Sequence, residues 1–562
     1  MNRIKDTIIE KITGCFPVLK DLAAVSLFEV PRNPEHGDTA LPCFRFSAVL
    51  KKPPVAVAEE LKKIFRDDAL FESVENINGY LNFKYSRKAF AETVLSDIND
   101  GSVYSRLREI GSGRTMVIDY SSLNIAKEPH IGHLRSTIIG NSIFRLYDFL
   151  GWKVIRINHL GDWGTQFGKL IYAFVSWGSE EELEKNPVRY LQELYVRFHK
   201  EEEKDPSLSS AARDWFLRLE NGDPEARRLW QRFKDYTIEG IKKTYDRIDV
   251  SFDFYRGEGY YESGAKEVIK MVETSPVSKI SEGALVIDLE EFGMPPCIVR
   301  KSDGASIYST RDLAAAIDRH REFAFDKMIY VTELKQQLHF SQVFKSLELL
   351  GYDWISKAEH VGFGSILGIS TRKGNVVYLE DIFDEAKNRV LEIMKDKDIE
   401  KTEKETIADK IGIGAVIFQD LSRSRVKNIE FDWERVLSFE GETGPYLQYS
   451  YVRIVHIIQK AGAELNGLPD FSLLSDDVTY ELVKTMSYFE SKLISAYREH
   501  EPSVIASYLI DLAKDFNRFY RANRIVGEEN DVAGSRIFLL IALESLFRRC
   551  LQILNIPIID KM

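Results

Sequence analysis

The chain opens on MNRIKDTIIEKITGCF, in which apolar and charged residues alternate at helical spacing. Lys51 to Phe65 repeats that spacing behind Pro53 and Pro54, residues suited to a first helical turn. Gly79 to Tyr85 reads as a strand, Asp100, Gly101 and Ser102 as a turn, and Gly111, Ser112 and Gly113 as a flexible link. Thr115 to Tyr120 is short and rich in strand formers. Gly132 to Leu150 then carries Leu134, Ile138, Phe144, Tyr147 and Leu150 near the helical period and stops at Gly151, after which Lys153 to Ile157 alternates as a strand. Strand, loop, helix, strand in that order is a βαβ unit. It predicts a parallel sheet with ligands beyond the carboxyl ends of its strands.

From Ser179 to about Tyr261 the text turns charged and helical, with the run Lys200 to Asp205 and an amphipathic Trp230 to Tyr245, and reads as an insertion. Sheet-like text resumes at Ala284 to Leu289 and Lys327 to Thr332, and after Lys404 nearly everything is helical. The expected fold is α/β. A small α+β domain over residues 1–110 precedes a Rossmann-like parallel-sheet domain over 111–385, which a helical insertion interrupts at about 172–298. A helical connection over 386–440 and an all-α bundle over 441–562 follow.

Composition narrows the class. A chain of 562 residues is too long for one core and suggests roughly three to four domains. With 44% hydrophobic and 29% charged residues, neither disorder nor a fibrous repeat is indicated. The start lacks the apolar stretch of a secretory signal, and Ile537 to Leu543 is far short of the roughly 18 residues that cross a bilayer. Cys15, Cys43, Cys297 and Cys550 are scattered with no CxxC pair, so a zinc knuckle or disulfide framework is not expected, and a reducing cytoplasm is. The net charge of −11 argues against a nucleic acid held by bulk electrostatics; a polyanion would need a local basic patch.

The first chemical signal is His130, Ile131, Gly132, His133, after a strand and at a helix N-terminus. Free amides there face anions, a glycine admits close approach, and two imidazoles three residues apart share a face from which to donate to phosphate. A dehydrogenase fingerprint is absent, because Gly362, Gly364 and Gly368 have the wrong spacing; Gly164 to Lys169 likewise lacks the spacing and hydroxyl of a phosphate-binding P-loop. Small nucleotidylyl transferases share HxGH but leave the first domain and the tail without a purpose. A non-catalytic RNA-binding relative would be expected to have lost HxGH or Asp312, and both are present.

DYSSLNIAKEPHIGHLRSTIIG, followed by NHLGDWGTQFG, resembles the active-site motifs of class I aminoacyl-tRNA synthetases and specifically of the arginyl-tRNA synthetases. The likeness continues through IYSTRDLAAA, QQLHFSQVF, STRKGNVVYLEDI, TGPYLQYSYVRI and AKDFNRFYRANRIV to the terminal IPIIDKM, and includes the early HGD and GYLNF segments. It implies that the arginine carboxylate attacks the α-phosphorus of ATP, pyrophosphate leaves, and the arginyl group passes to the terminal ribose of tRNA(Arg). ATP would arrive as its Mg2+ complex, with no tightly bound cofactor and no protein metal site.

By resemblance, His130 and His133 contact ATP phosphates, Gly132 makes room for the adenine side, and Gly161, Asp162 and Gln166 lie near adenosine. The second class I motif survives only as Ile369, Ser370, Thr371, Arg372, Lys373, Gly374, with Gly368 and Thr371 where its lysines belong. Ser370 marks the register at the ATP site. Lys127, which alone would read as a solvated loop lysine, is the expected substitute, and Arg372 and Lys373 are further candidates for the phosphates. Arginine needs carboxylates matched to a planar five-donor fork. Tyr308 and Asp312 are four apart on one helical face; the resemblance gives Asp312 the guanidinium, with Asp119, Asn124, His130 and Gln336 completing the contacts. Taken alone, Asp312 would be a surface charge paired with Arg311 or Lys301.

The tail is not basic as a whole, but Lys514, Arg518 and Arg521 make a stripe at i, i+4, i+7 with Asn517 and Tyr520 beside it. Such a stripe usually marks a solvated helix face. The likeness to the family's anticodon-binding bundle turns it, with Tyr446 and Tyr449, into a candidate tRNA surface, while residues 1 to about 110 would approach the D-loop corner. A monomer without membrane contact is expected.

Overall fold

Pro54, whose ring presets a helical φ, is the first residue of the helix Pro54–Lys62. Its buried face of Val57, Ala58 and Leu61 packs on an antiparallel sheet of β1 (Thr39–Pro42), β2 (Phe71–Ile77) and β3 (Tyr80–Tyr85), in the order β1-β3-β2. The computed structural model describes residues 2–24, 27–367, 378–430, 433–438, 441–461 and 469–559. Within the expected link at Gly111 to Gly113, Ser112 and Gly113 are exposed while Gly111 is packed against Trp152. Gly111 is buried and its amide donates to the Leu150 carbonyl at 2.9 Å, which ties the turn to the end of the next helix.

Val117 and Ile118 point to opposite faces of β4 (Thr115–Asp119) and both are fully buried, so this strand needs cover on each side. It lies at the centre of a five-stranded parallel sheet. β5 (Lys153–Asn158) and β6 (Phe254–Tyr255) extend the sheet on one side. A small antiparallel sheet of β7 (Ser278–Ser281), β8 (Ala284–Ile287) and β9 (Cys297–Arg300) intervenes in the chain, before β10 (Lys327–Glu333) and β11 (Ala358–Phe363) complete the other side. The order is β11-β10-β4-β5-β6, so the direction of winding reverses between β4 and β10. A crevice forms there, at the carboxyl edge.

The crossover from β4 to β5 is the helix Ile131–Phe149, as the apolar spacing requires. Between β5 and β6 stand the helices Thr165–Trp177, Pro187–Glu202, Leu208–Glu220 and Pro224–Arg247. From Lys401 onward the elements are mainly long helices, ending with Ser503–Ala522 and Asn530–Ile553. Among the described residues, no helix is long and apolar enough to cross a membrane. The N-terminal unit docks on the tail: Arg87 bonds the Ser475 carbonyl and the Asp477 carboxylate, each at 2.7 Å, and the Tyr104 hydroxyl meets Ser545 at 2.8 Å.

Arg135, one turn inside the crossover helix and 1% exposed, joins three regions. Its Nε donates to Asp420 on the helix Lys401–Leu421 at 3.1 Å, and its terminal nitrogens donate to the carbonyls of Gly364 at 2.5 Å, Lys427 at 2.8 Å and Arg425 at 3.2 Å. Arg425 continues the web through its own bonds to the Gly362 carbonyl at 2.5 Å and the His500 carbonyl at 3.1 Å, the latter in the tail. Arg135→Met should therefore lower stability by about 3–5 kcal/mol, because it leaves the Asp420 charge buried and unpaired. The double variant Arg135→Met, Asp420→Leu should recover most of that loss in urea-unfolding midpoints; equal loss in both would assign the effect to packing alone.

Candidate active site

The segment after β4 carries three non-glycine residues with positive φ, Ser121 at 75°, Ser122 at 51° and Ala126 at 59°. Such backbone persists only where its surroundings hold it. Here they are polar. Ser121 Oγ meets Thr137 at 2.7 Å and the Tyr245 hydroxyl at 2.6 Å, the Ser122 amide donates to Asn158 at 3.1 Å, and the Ala126 amide donates to Thr237 at 3.1 Å. Gly161 closes the loop from the other side: a Cβ there would lie 2.1 Å from Asn124 Oδ1. Asn124 and Gly161 pair as an isolated bridge at the carboxyl edge.

His130 is the N-cap of the crossover helix. Its Nδ1 accepts from the Gly132 amide at 3.1 Å, and its own amide donates to His133 Nδ1 at 3.2 Å. A side chain at Gly132 would strike the His130 ring, with Cε1 2.8 Å from the added carbon, so glycine is required for this cap. Burial, then Lys127, lowers the His130 pKa; burial, then His130 and Lys127, brings that of His133 down to about 3. Both imidazoles are neutral near pH 7. With each Nδ1 accepting a backbone proton, the remaining proton sits on Nε2, and the pair offers two outward N–H donors. Lys127 is half-buried, with Nζ 5.9 Å from the centre of the Tyr195 ring.

Asp162 is fully buried and already engaged: Oδ1 accepts from the Gly259 amide at 2.8 Å, Oδ2 faces Lys234 Nζ at 2.7 Å, and its carbonyl accepts from Trp230 at 2.6 Å. It anchors the helical insertion to the β5 loop. Gln166, half-buried in the first turn of Thr165–Trp177, bonds the Trp163 carbonyl at 3.4 Å. Ser370, Arg372 and Lys373 lie outside the described residues.

Across the crevice, the helix Tyr308–Phe323 turns Tyr308, Asp312 and Arg319 to one face. Asp312 is not a surface charge paired with Arg311 or Lys301. It accepts from His339 Nε2 at 2.7 Å, His159 Nε2 stands 4.0 Å away, and Arg311 bonds Glu258 at 2.7 Å instead. Burial alone would raise the Asp312 carboxyl, but the His339 hydrogen bond, with His159 and Arg319 nearby, holds it below the usual carboxylate range. Burial raises Glu258, which Arg311 only partly offsets. Asp119 ends β4 at the predicted edge, yet its carboxylate meets Arg319 Nη2 at 2.8 Å and accepts from Ser122 Oγ at 3.2 Å. Tyr308 is 56% exposed, its ring edge-on to His339 at 5.0 Å, and Gln336 is exposed after β10. Sequence reasoning missed His159, Glu258, Arg319 and His339. Arg319 was findable from its spacing of seven behind Asp312.

In the tail, Lys514, Arg518 and Arg521 are exposed along Ser503–Ala522 and line a groove of about 1270 Å³ with Tyr446 and Tyr449. Lys514 pairs with Glu442 at 2.7 Å, and Arg518 with Asp515. Arg453, which the stripe did not predict, bonds Asn517 at 2.9 Å and the Tyr449 hydroxyl at 2.6 Å and lies over the Tyr449 ring at 4.5 Å.

Comparison with known proteins agrees with this geometry. Residues 99–433 match the model of the class I tRNA synthetase (R) catalytic domain, residues 447–562 that of the DALR anticodon-binding domain, and residues 2–85 that of the arginyl-tRNA synthetase N-terminal domain. An arginine–tRNA ligase of Alkaliphilus metalliredigens is 44% identical over 96% of both chains, and one of Clostridioides difficile is 42% identical over 96% of both. Two solved arginyl-tRNA synthetases share the fold: that of Thermus thermophilus, with a TM-score of 0.81, 24% identity and 100% of both chains covered, and that of Plasmodium falciparum, with 0.78, 23%, and 100% of this chain and 98% of that one. With the family's three modules in order along a chain whose parallel sheet carries HxGH at its carboxyl edge, this protein belongs to the arginyl-tRNA synthetase family.

Proposed function

We propose that this chain joins arginine to tRNA(Arg) at the expense of ATP, acting in the cytoplasm as a monomer. The observation that carries the reading is a juxtaposition at one sheet edge. Two neutral imidazole donors cap a helix N-terminus on one side of the β4/β10 crevice, and on the other stands Asp312, a half-buried carboxylate whose ion-pair partners among the described residues are the imidazoles of His339 and His159. A phosphate chain suits the first and a guanidinium the second.

Arginine would place its side chain toward Asp312 and Tyr308, with Asn124 and Gln336 at the amino end. Its carboxylate would then face the α-phosphorus of ATP, whose Mg2+ enters as part of the substrate. As pyrophosphate separates, the Nε2–H groups of His130 and His133 and the ammonium of Lys127 meet the growing charge. Gly161 and Gln166 would flank the nucleoside, with Asp162 acting on that loop through Lys234 and Gly259. Transfer follows when the terminal ribose hydroxyl of tRNA attacks the activated carbonyl and AMP leaves.

Asp312→Asn should raise KM for arginine by a factor matching about 1.5–3 kcal/mol with KM for ATP unmoved, since a charge-assisted bond is lost from one substrate only. Steady-state aminoacylation reads this, and an unchanged arginine KM would return Asp312 to a structural role. His133→Asn should lower kcat about a hundredfold, near 3 kcal/mol of leaving-group stabilisation, while tRNA affinity stays the same. A drop in affinity instead would place His133 outside the phosphate site.

The tail groove would take the anticodon, its aromatic rings stacking on unpaired bases and its cations meeting phosphates. Replacing Arg518 and Arg521 with alanine should flatten the salt dependence of tRNA binding by about one unit of log–log slope for each phosphate left without its cation, with arginine and ATP KM unchanged. An unaltered slope would leave the stripe a solvated helix face.

A further inference from the structure

Three carboxylates converge on the crevice, and two have an internal cation. Glu258 is bonded by Arg311 at 2.7 Å, and Asp119 by Arg319 at 2.8 Å. Asp312 has no arginine or lysine partner among the ion pairs of the described residues, only His339 at 2.7 Å and His159 at 4.0 Å. The site's unbalanced negative charge therefore rests on Asp312.

Arg319 is 0% exposed, lies between the rings of Tyr261 and Tyr330 at 5.8 and 5.5 Å, and cannot be reached by solvent. The Nη2 that meets Asp119 also lies 3.2 Å from His159 Nδ1. A guanidinium only donates, so Nδ1 must accept, and the proton of neutral His159 is forced onto Nε2. That Nε2 is the atom facing Asp312. His159 is kept in its plane by the Tyr261 ring, stacked at 5.7 Å. Asp119, Arg319, His159 and Asp312 thus form one sequence of polar contacts, buried at Asp119 and Arg319 and half-buried at His159 and Asp312, from the end of β4 to the helix face that carries Asp312.

We propose that Arg319 is a positioning residue of the arginine subsite: it neutralises Asp119, sets the tautomer of His159 and so orients the N–H that steadies Asp312. The inference rests on the reading of Asp312 as the group that takes the substrate's guanidinium. Asp119 then belongs to the wall of the subsite and acts through Arg319. An internal guanidinium in that place also prevents Asp119 and Asp312 from sharing a substrate cation, so one carboxylate is left to select it.

The test compares Arg319→Lys, His159→Phe and Asp312→Asn in full-length enzyme, with aminoacylation kinetics in arginine and in ATP separately and melting curves to establish folding. Lysine keeps the charge near Asp119, but its chain is shorter than the path to Nη2 and ends short of the point where that one nitrogen meets both Asp119 and His159; phenylalanine keeps the stacked ring but removes its N–H. Each should raise arginine KM about tenfold with ATP KM unchanged. Combining Arg319→Lys with His159→Phe should add little to either alone, because both break the same link. KM does not depend on the fraction folded, so weakened core packing would lower the melting temperature and leave it unmoved. Unchanged arginine KM in folded Arg319→Lys, or equal rises for arginine and ATP, would overturn the proposal. Should Arg319→Lys fail to fold, His159→Phe decides alone by the same criteria. If Asp312→Asn leaves arginine KM unchanged, the subsite reading itself falls; if only that variant responds, the positioning role alone falls.

Discussion

Taking a guanidinium out of water is costly unless its donors are met, and at Arg135 that constraint ties the catalytic half of the chain together. Arg135 satisfies it with one carboxylate and three backbone carbonyls, drawn from the exit of the sheet and the segment 420–427 that leads to the tail. The helix that contributes Arg135 begins at His130. The N-terminal end of that helix is therefore held against the same backbone on which Arg425 gathers the His500 turn of the tail. Removing either arginine would loosen the crevice and its connection to the helical tail together.

The crevice separates its chemistry by protonation. His130 and His133 sit half-buried beside Lys127, so both stay uncharged and act as fixed hydrogen-bond donors whose tautomer the helix backbone dictates. Opposite them, Asp312 stays ionised although half-buried, because His339 donates to it and His159 and Arg319 stand nearby. Neutral donors suit an anion that gains charge during the reaction, and an ionised carboxylate suits a permanent cation.

The chain is acidic overall, at −11, yet exposes Lys514, Arg518 and Arg521 along one groove with tyrosines beside them. Two of the three cations are already paired, Lys514 with Glu442 and Arg518 with Asp515. An anion approaching Lys514 or Arg518 meets a cation that already has a carboxylate beside it.

Much of this was legible in the residues. Period and punctuation marked β4, the crossover helix and β5, because burial on one helix face or both strand faces leaves an apolar pattern that local sequence carries. HIGH at a helix start and Tyr308 with Asp312 four apart were legible for the same reason: their spacing is local. The partners were not. Arg319 reaches Asp119 across 200 residues, His159 reaches Asp312 from the loop after β5 and His339 from the helix Gln337–Leu349, and Lys234 takes Asp162 from within the insertion. Local sequence determined which groups would stand at the sheet edge; only the tertiary structure decided which of those charges were already neutralised, because pairing depends on distances between segments that no spacing along the chain records.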